Sequence, residues 1–146
     1  LSFAAELQKS YPWLTTCCKH YNQIVDLLLE PPATIIHGEY YKRNIPHVNG
    51  VAYPVDWESA AIAPGEIDLA SLIEAWPAEI ADHCKMIYQQ VRWPQDPPAH
   101  FERRLDAARL YLQLRWLGDR PEWTVAERYQ WRFVQLREVS ERLGLI

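Results

Sequence analysis

A carboxylate, an amide and a second carboxylate stand at short, ordered intervals in the first half of the chain. Glu39 and Asn44 lie in His37-Gly38-Glu39-Tyr40-Tyr41-Lys42-Arg43-Asn44, and Asp56 follows twelve residues after Asn44 in Val55-Asp56-Trp57-Glu58. Those residue types suit phosphoryl transfer, which asks mainly for positioning and for neutralisation of phosphate charge. A carboxylate orients the acceptor hydroxyl and takes its proton, while hard oxygen donors, typically a carboxylate and an amide oxygen, hold Mg²⁺ against the phosphate. Glu39 is the candidate base, and Asn44 and Asp56 are the candidate magnesium ligands.

The elements around these residues have to bring them together. Apolar positions at Cys18, Tyr21, Ile24, Val25, Leu28 and Leu29 predict a helix from about Thr15 to Glu30, stopped by Pro31-Pro32. The β-branched run Thr34-Ile35-Ile36 predicts a buried strand over Ala33 to His37. Asn49-Gly50 between Ile45–Val48 and Val51–Asp56 predicts a tight hairpin, since both central residues tolerate positive φ. A loop between two strands projects Glu39 and Asn44 together, and the hairpin folds Asp56 back beside them. Trp57 to Ile67 reads as an irregular loop, and Asp68 as the cap of a helix running to Trp76.

The remainder reads as three helices: Ala78 to Trp93, Phe101 to Leu117 and Pro121 to Leu143. The second carries Leu105, Ala108, Leu112 and Trp116 on one face and stops at Gly118, and Gly144 caps the third. The expected class is α+β, mostly α: one domain over residues 1–146, a helical body with a small hairpin platform in its N-terminal third.

Composition narrows the partners. A net charge of −4 offers no basic field for nucleic acid or an anionic membrane. No apolar run approaches spanning length, so a soluble, cytoplasmic chain is expected. Three cysteines, two of them adjacent, form no disulfide framework and fit a reducing compartment; Cys17 and His20, one turn apart, read as helix residues rather than metal ligands. His20, His47, His83 and His100 read as ordinary surface or helix residues, and the seven tryptophans as packing residues. Glu58, Glu66, Glu74 and Glu79 read as solvated acids, as do the bases Lys42 and Arg43.

The stretch from Ile35 to about Trp76 resembles the aminoglycoside phosphotransferase and choline kinase-like family, which shares the protein-kinase catalytic core. The family pattern H-G-D-x-x-x-x-N, a hairpin, I-D-W-E and D-L-A is met here by His37-Gly38-Glu39 through Asn44, by Val55-Asp56-Trp57-Glu58 and by Asp68-Leu69-Ala70. The resemblance implies a helical C-terminal lobe with its catalytic loop and metal motif over 35–70 and a helical subdomain over 71–146. It places Glu39 at the base position and Asn44 and Asp56 at the Mg²⁺ and nucleotide positions. His37 becomes a structural support for the loop, and Asp68 its anchor.

The implied activity is transfer of the γ-phosphate of ATP or GTP to a hydroxyl of a small-molecule acceptor. Two positions depart from the family pattern: Glu39 stands for the usual Asp, and Lys42 for a frequent proline. No glycine-rich phosphate-covering loop is found, and the chain opens at Leu1 rather than Met. The nucleotide-binding N-terminal lobe is therefore expected to be absent, and the chain alone is not expected to turn over. The alternative is a catalytically silent binding or scaffold module, and an exposed lobe interface would favour self-association.

Overall fold

The computed structural model describes residues 5–30, 32–96, 98–124 and 127–146. The chain is mostly helical with little strand, which is the α+β, mostly α class. It divides into two compact units, residues 31–105 and residues 1–30 with 106–146. No helix among the described residues is long and apolar enough to cross a membrane.

The first 30 residues form α1 (Ala5–Ser10), α2 (Trp13–Lys19) and α3 (Tyr21–Leu29). The single helix expected from Thr15 is thus two. His20 leaves helical geometry at φ −95°, ψ 6°, and its N–H closes the previous helix on the Cys17 carbonyl at 3.1 Å. Leu14, Cys17, Ile24 and Leu28 are buried, whereas Leu29, expected on the same face, is 65% exposed.

In the unit of residues 31–105 the chain forms β1 (Thr34–Ile36), β2 (His47–Val48), β3 (Val51–Ala52) and β4 (Ala61–Ala63). The hairpin β2–β3 turns on Asn49 at φ 50° and Gly50 at φ 82°, the positive values a two-residue turn needs. The stretch expected to be an irregular loop holds a 3₁₀ turn at Trp57–Ser59 and then β4. β4 pairs antiparallel with β1, Ile35 opposite Ile62. A two-stranded sheet has one covered face, so β1 is not buried throughout: Ile36 is inside, and the facing pair Ile35 and Ile62 is outside.

Two helices follow, α4 (Glu66–Ile73) and α5 (Ala78–Arg92). α4 starts two residues before Asp68 and ends short of Trp76. Its first N–H groups bond the Pro64 and Gly65 carbonyls at 3.1 and 3.2 Å, and the Asp68 carboxylate is engaged elsewhere. α5 ends where Pro94 forbids another turn.

α6 (Phe101–Asp119) runs through Gly118, because the Arg120 N–H still reaches the Trp116 carbonyl at 3.1 Å and one helical glycine costs only about 1 kcal/mol. Leu105, Ala108 and Leu112 of the expected face are buried and Trp116 is half-buried, but burial extends round the helix to Ala107 and Leu110. The expected helix from Pro121 is instead two 3₁₀ turns, Pro121–Thr124 and Glu127–Tyr129, followed by α7 (Trp131–Leu143). Residues 125–126 lie outside the described residues. Gly144 at φ 72° caps α7, its N–H on the Glu141 carbonyl.

In the unit formed by residues 1–30 and 106–146, Tyr11 stacks on Phe133 at 4.2 Å and bonds Gln130. Asp106 is clamped there by Arg142 through two bonds of 2.8 Å and by Arg109 at 2.8 Å. None of the tryptophans whose exposure is described is fully buried, and Trp57 and Trp131 are exposed, so they are edge residues rather than core.

Candidate active site

The loop after β1 is built on a glycine and a carboxylate. Gly38 takes φ 84°, and a Cβ there would stand 2.2 Å from the Ser59 carbonyl oxygen, so no other residue fits without moving backbone. From the first turn of α4, Asp68 accepts the N–H groups of His37 at 2.6 Å and of Gly38 at 2.9 Å. One side chain thereby satisfies two consecutive main-chain donors and sets the angle at which the loop leaves the strand.

His37 is 1% exposed and points inward. Its Nε2 bonds the Val55 carbonyl at 2.8 Å, and its Nδ1 faces the Glu39 N–H at 3.3 Å. The pair of bonds together requires Nε2–H with Nδ1 as acceptor. Trp57, at 4.6 Å, and Tyr40, at 5.7 Å, flank the ring. With both nitrogens committed, this imidazole supports the loop and has no nitrogen left for a substrate.

The three residues with chemistry are then placed mainly by backbone. The Glu39 carbonyl accepts the Asn44 Nδ2 at 3.1 Å, drawing the ends of the loop together. Asn44 is buried, closes a 3₁₀ turn over Lys42–Asn44, and accepts the Val55 N–H on its carbonyl at 2.9 Å. Val55 is pinned on both sides, by Asn44 and by His37, and Asp56 follows directly. Asp56 takes the left-handed conformation, φ 68° and ψ 59°, which Asp tolerates better than most residues, and its side chain is exposed. Asn44 and Asp56 are therefore tied through one residue of backbone, while Glu39 and Asn44 are tied directly.

The Glu39 carboxylate accepts the Tyr41 hydroxyl at 2.9 Å on Oε2 and the Ser59 hydroxyl at 3.2 Å on Oε1. Arg43 donates to the Tyr41 oxygen at 3.0 Å and lies over that ring at 5.2 Å. Its guanidinium is held above its ordinary range, first by the bond and charge of Tyr41, against desolvation, with Glu39 and Asp56 adding lesser upward effects. Lys42 lies 5.0 Å from the centre of the Trp76 ring, a cation–π contact. Tyr40 is shifted upward by burial and then by the Asp68 charge.

Sequence reasoning missed Tyr41, Ser59 and Arg43 as members of this group. Arg43 carried a signal, since it sits inside the loop motif. Ser59 carried none, because it reaches Glu39 only through the 3₁₀ turn after Asp56.

The donor set can be tested against a magnesium ion. Asn44 spends its NH₂ on the Glu39 carbonyl, which leaves its amide oxygen as an acceptor, and Asp56 adds an exposed carboxylate. No group of three or more His, Cys, Asp or Glu able to hold a metal occurs among the described residues. Two hard oxygen donors suit Mg²⁺, which keeps several waters and borrows phosphate oxygens, better than an ion needing a full protein cage. Compared with family models, with curated proteins and with solved structures, the chain gave no match.

Proposed function

We propose that residues 31–105 carry the catalytic loop of a phosphotransferase that moves the γ-phosphoryl group of ATP or GTP to a hydroxyl of a small molecule. The observation that carries this reading is the clamp of Asp68 on the His37 and Gly38 amides, which fixes a loop whose remaining bonds gather Glu39, Asn44 and Asp56. Glu39 orients the acceptor hydroxyl in the place where its Oε1 now holds Ser59, and takes the proton as the new O–P bond forms. The bond from the γ-phosphorus to the bridging oxygen breaks, and the nucleoside diphosphate leaves. Asn44 and Asp56 would hold Mg²⁺, whose contribution when bound is neutralisation of phosphate charge. Arg43, an exposed cation of the same loop, would meet the transferred group. Three free cysteines support a reducing, cytoplasmic setting.

Manganese relaxation on the chain itself tests the metal pair. Mn²⁺ with nucleotide is expected to broaden the amide resonances of Asn44 and Asp56 first, and Asp56→Ala to remove the effect. Broadening that survives Asp56→Ala would overturn the assignment.

A second reading, a binding module without turnover, is supported by the engagement of both Glu39 carboxylate oxygens with Tyr41 and Ser59. Under it, nucleotide with Mg²⁺ stabilises the chain against heat, but no phosphoryl group is transferred by the full-length gene product.

A further inference from the structure

A serine hydroxyl of the chain already stands against the candidate base. Ser59 donates to Glu39 Oε1 at 3.2 Å, at the long end of the reach of about 2.6–3.2 Å from which a base takes the proton of a reacting hydroxyl. Serine is a weak nucleophile by itself, and a base held on its hydroxyl is what makes it reactive.

Two features hold Ser59 in that place. It closes the 3₁₀ turn Trp57–Ser59, whose N-cap is Asp56, so the hydroxyl rides on the turn that begins at a candidate magnesium ligand. The turn also rests on the start of the loop: a Cβ on Gly38 would stand 3.0 Å from the Ser59 Cβ and 2.2 Å from its carbonyl oxygen. The missing side chain of Gly38 therefore lets Ser59 approach a residue twenty positions earlier in the chain. Ser59 is half-buried, which keeps its side chain in contact with both the loop and solvent.

Tyr41 is a second hydroxyl on Glu39, at 2.9 Å from Oε2. Its oxygen accepts the Arg43 guanidinium at 3.0 Å, and that bond draws on the lone pairs that would attack phosphorus. The geometry favours Ser59 over Tyr41 as the nucleophile.

We propose that Ser59 is a self-phosphorylation site of this loop. The inference rests on the phosphotransferase reading and uses the same nucleoside triphosphate with Mg²⁺. Ser59 Oγ attacks the γ-phosphorus and its proton passes to Glu39. The bond from the γ-phosphorus to the bridging oxygen breaks, and the nucleoside diphosphate leaves. The phosphoserine carries a charge of about −1.5 to −2 and stays beside Glu39 in the acceptor place, so the step occurs once per chain and then blocks the base.

The full-length gene product, incubated with Mg²⁺ and γ-labelled ATP or GTP, with and without a panel of small hydroxyl acceptors, tests this. Without acceptor, the protein is expected to take up label to a single phosphate per chain, placed on Ser59 by fragmentation mass spectrometry. Ser59→Ala is expected to lose the label, and Glu39→Gln to slow its uptake at least ~100-fold. Label on Tyr41 or elsewhere, label kept by Ser59→Ala, or uptake at the parental rate in Glu39→Gln overturns the proposal. Unlabelled protein beside labelled acceptor overturns it too, and leaves the phosphotransferase reading standing; label on neither overturns both. Should Ser59→Ala lose its native circular dichroism, the position of the label on the parent decides alone.

Discussion

Removing the Asp68 carboxylate should loosen the loop after β1 more than any other single side-chain change near it. Asp68→Ala leaves the His37 and Gly38 N–H groups, bonded now at 2.6 and 2.9 Å, without an acceptor. Each orphaned buried donor costs about 1–3 kcal/mol, or about 2–6 kcal/mol for the pair. Asp68 is partly exposed, so water reaches the gap, and the lower half of that range, about 2–4 kcal/mol, is expected. Asp68→Asn keeps one acceptor oxygen but turns an NH₂ toward the other backbone donor, and about 1–3 kcal/mol is expected. Urea unfolding reads the total, and amide hydrogen exchange at His37 and Gly38 locates it. A variant that loses under 0.5 kcal/mol and keeps both amides protected would refute the clamp.

Further expectations concern the surrounding structure. Gly38→Ala meets the Ser59 carbonyl at 2.2 Å in a left-handed backbone, and a loss of about 2–5 kcal/mol is expected from the conformational cost and overpacking together; a thermal midpoint equal to the parent's contradicts it. Burial raises the Asp106 carboxyl, but the Arg142 and Arg109 hydrogen bonds outweigh that and hold it below its ordinary 3.8. A carboxyl depressed in the folded state contributes stability that is present above the unfolded value of about 3.9 and lost as the pH falls through the folded value. Asp106→Asn should therefore cost about 2–4 kcal/mol at pH 7 and progressively less below pH ~4, as measured by unfolding across that range. Gly50→Ala should cost about 1 kcal/mol, since φ is 82° but no atom lies within 4 Å of the added Cβ.

What was legible in the sequence was local. The Asn49-Gly50 turn, α5 with its proline stop and the Gly144 cap follow from chemistry within a few residues. The small strand β4 was hidden because Ala61–Ala63 lies in an Ala-, Pro- and Gly-rich stretch and its partner β1 is far back in the chain. The same stretch conceals Ser59, which reaches across twenty residues to Glu39. Asp68 reads as a helix cap from its place near a helix start and as the loop's anchor only from the resemblance; two backbone amides about thirty residues away take its oxygens. Glu66 read as a solvated acid, since nothing nearby in sequence announces that Tyr88 will bury it. Helix breaks at His20 and before Trp131 depend on single backbone angles that propensity does not reveal.

The loop residues Glu39, Asn44 and Asp56 were legible by type and order, but not the bonds that place them. His37 reads in sequence as a support, and its ring nitrogens are taken by Val55 and Glu39. That arrangement leaves Glu39 as the loop's candidate proton acceptor and gives the central test its target. Transfer of γ-labelled phosphate from ATP or GTP to a panel of small-molecule hydroxyl acceptors should be measured with the full-length gene product and with Glu39→Gln. Labelled acceptor is expected from the parent, with the rate falling at least ~100-fold in the variant, as for loss of a general base. A Glu39→Gln protein that transfers phosphate at the parental rate would contradict the role given to this loop.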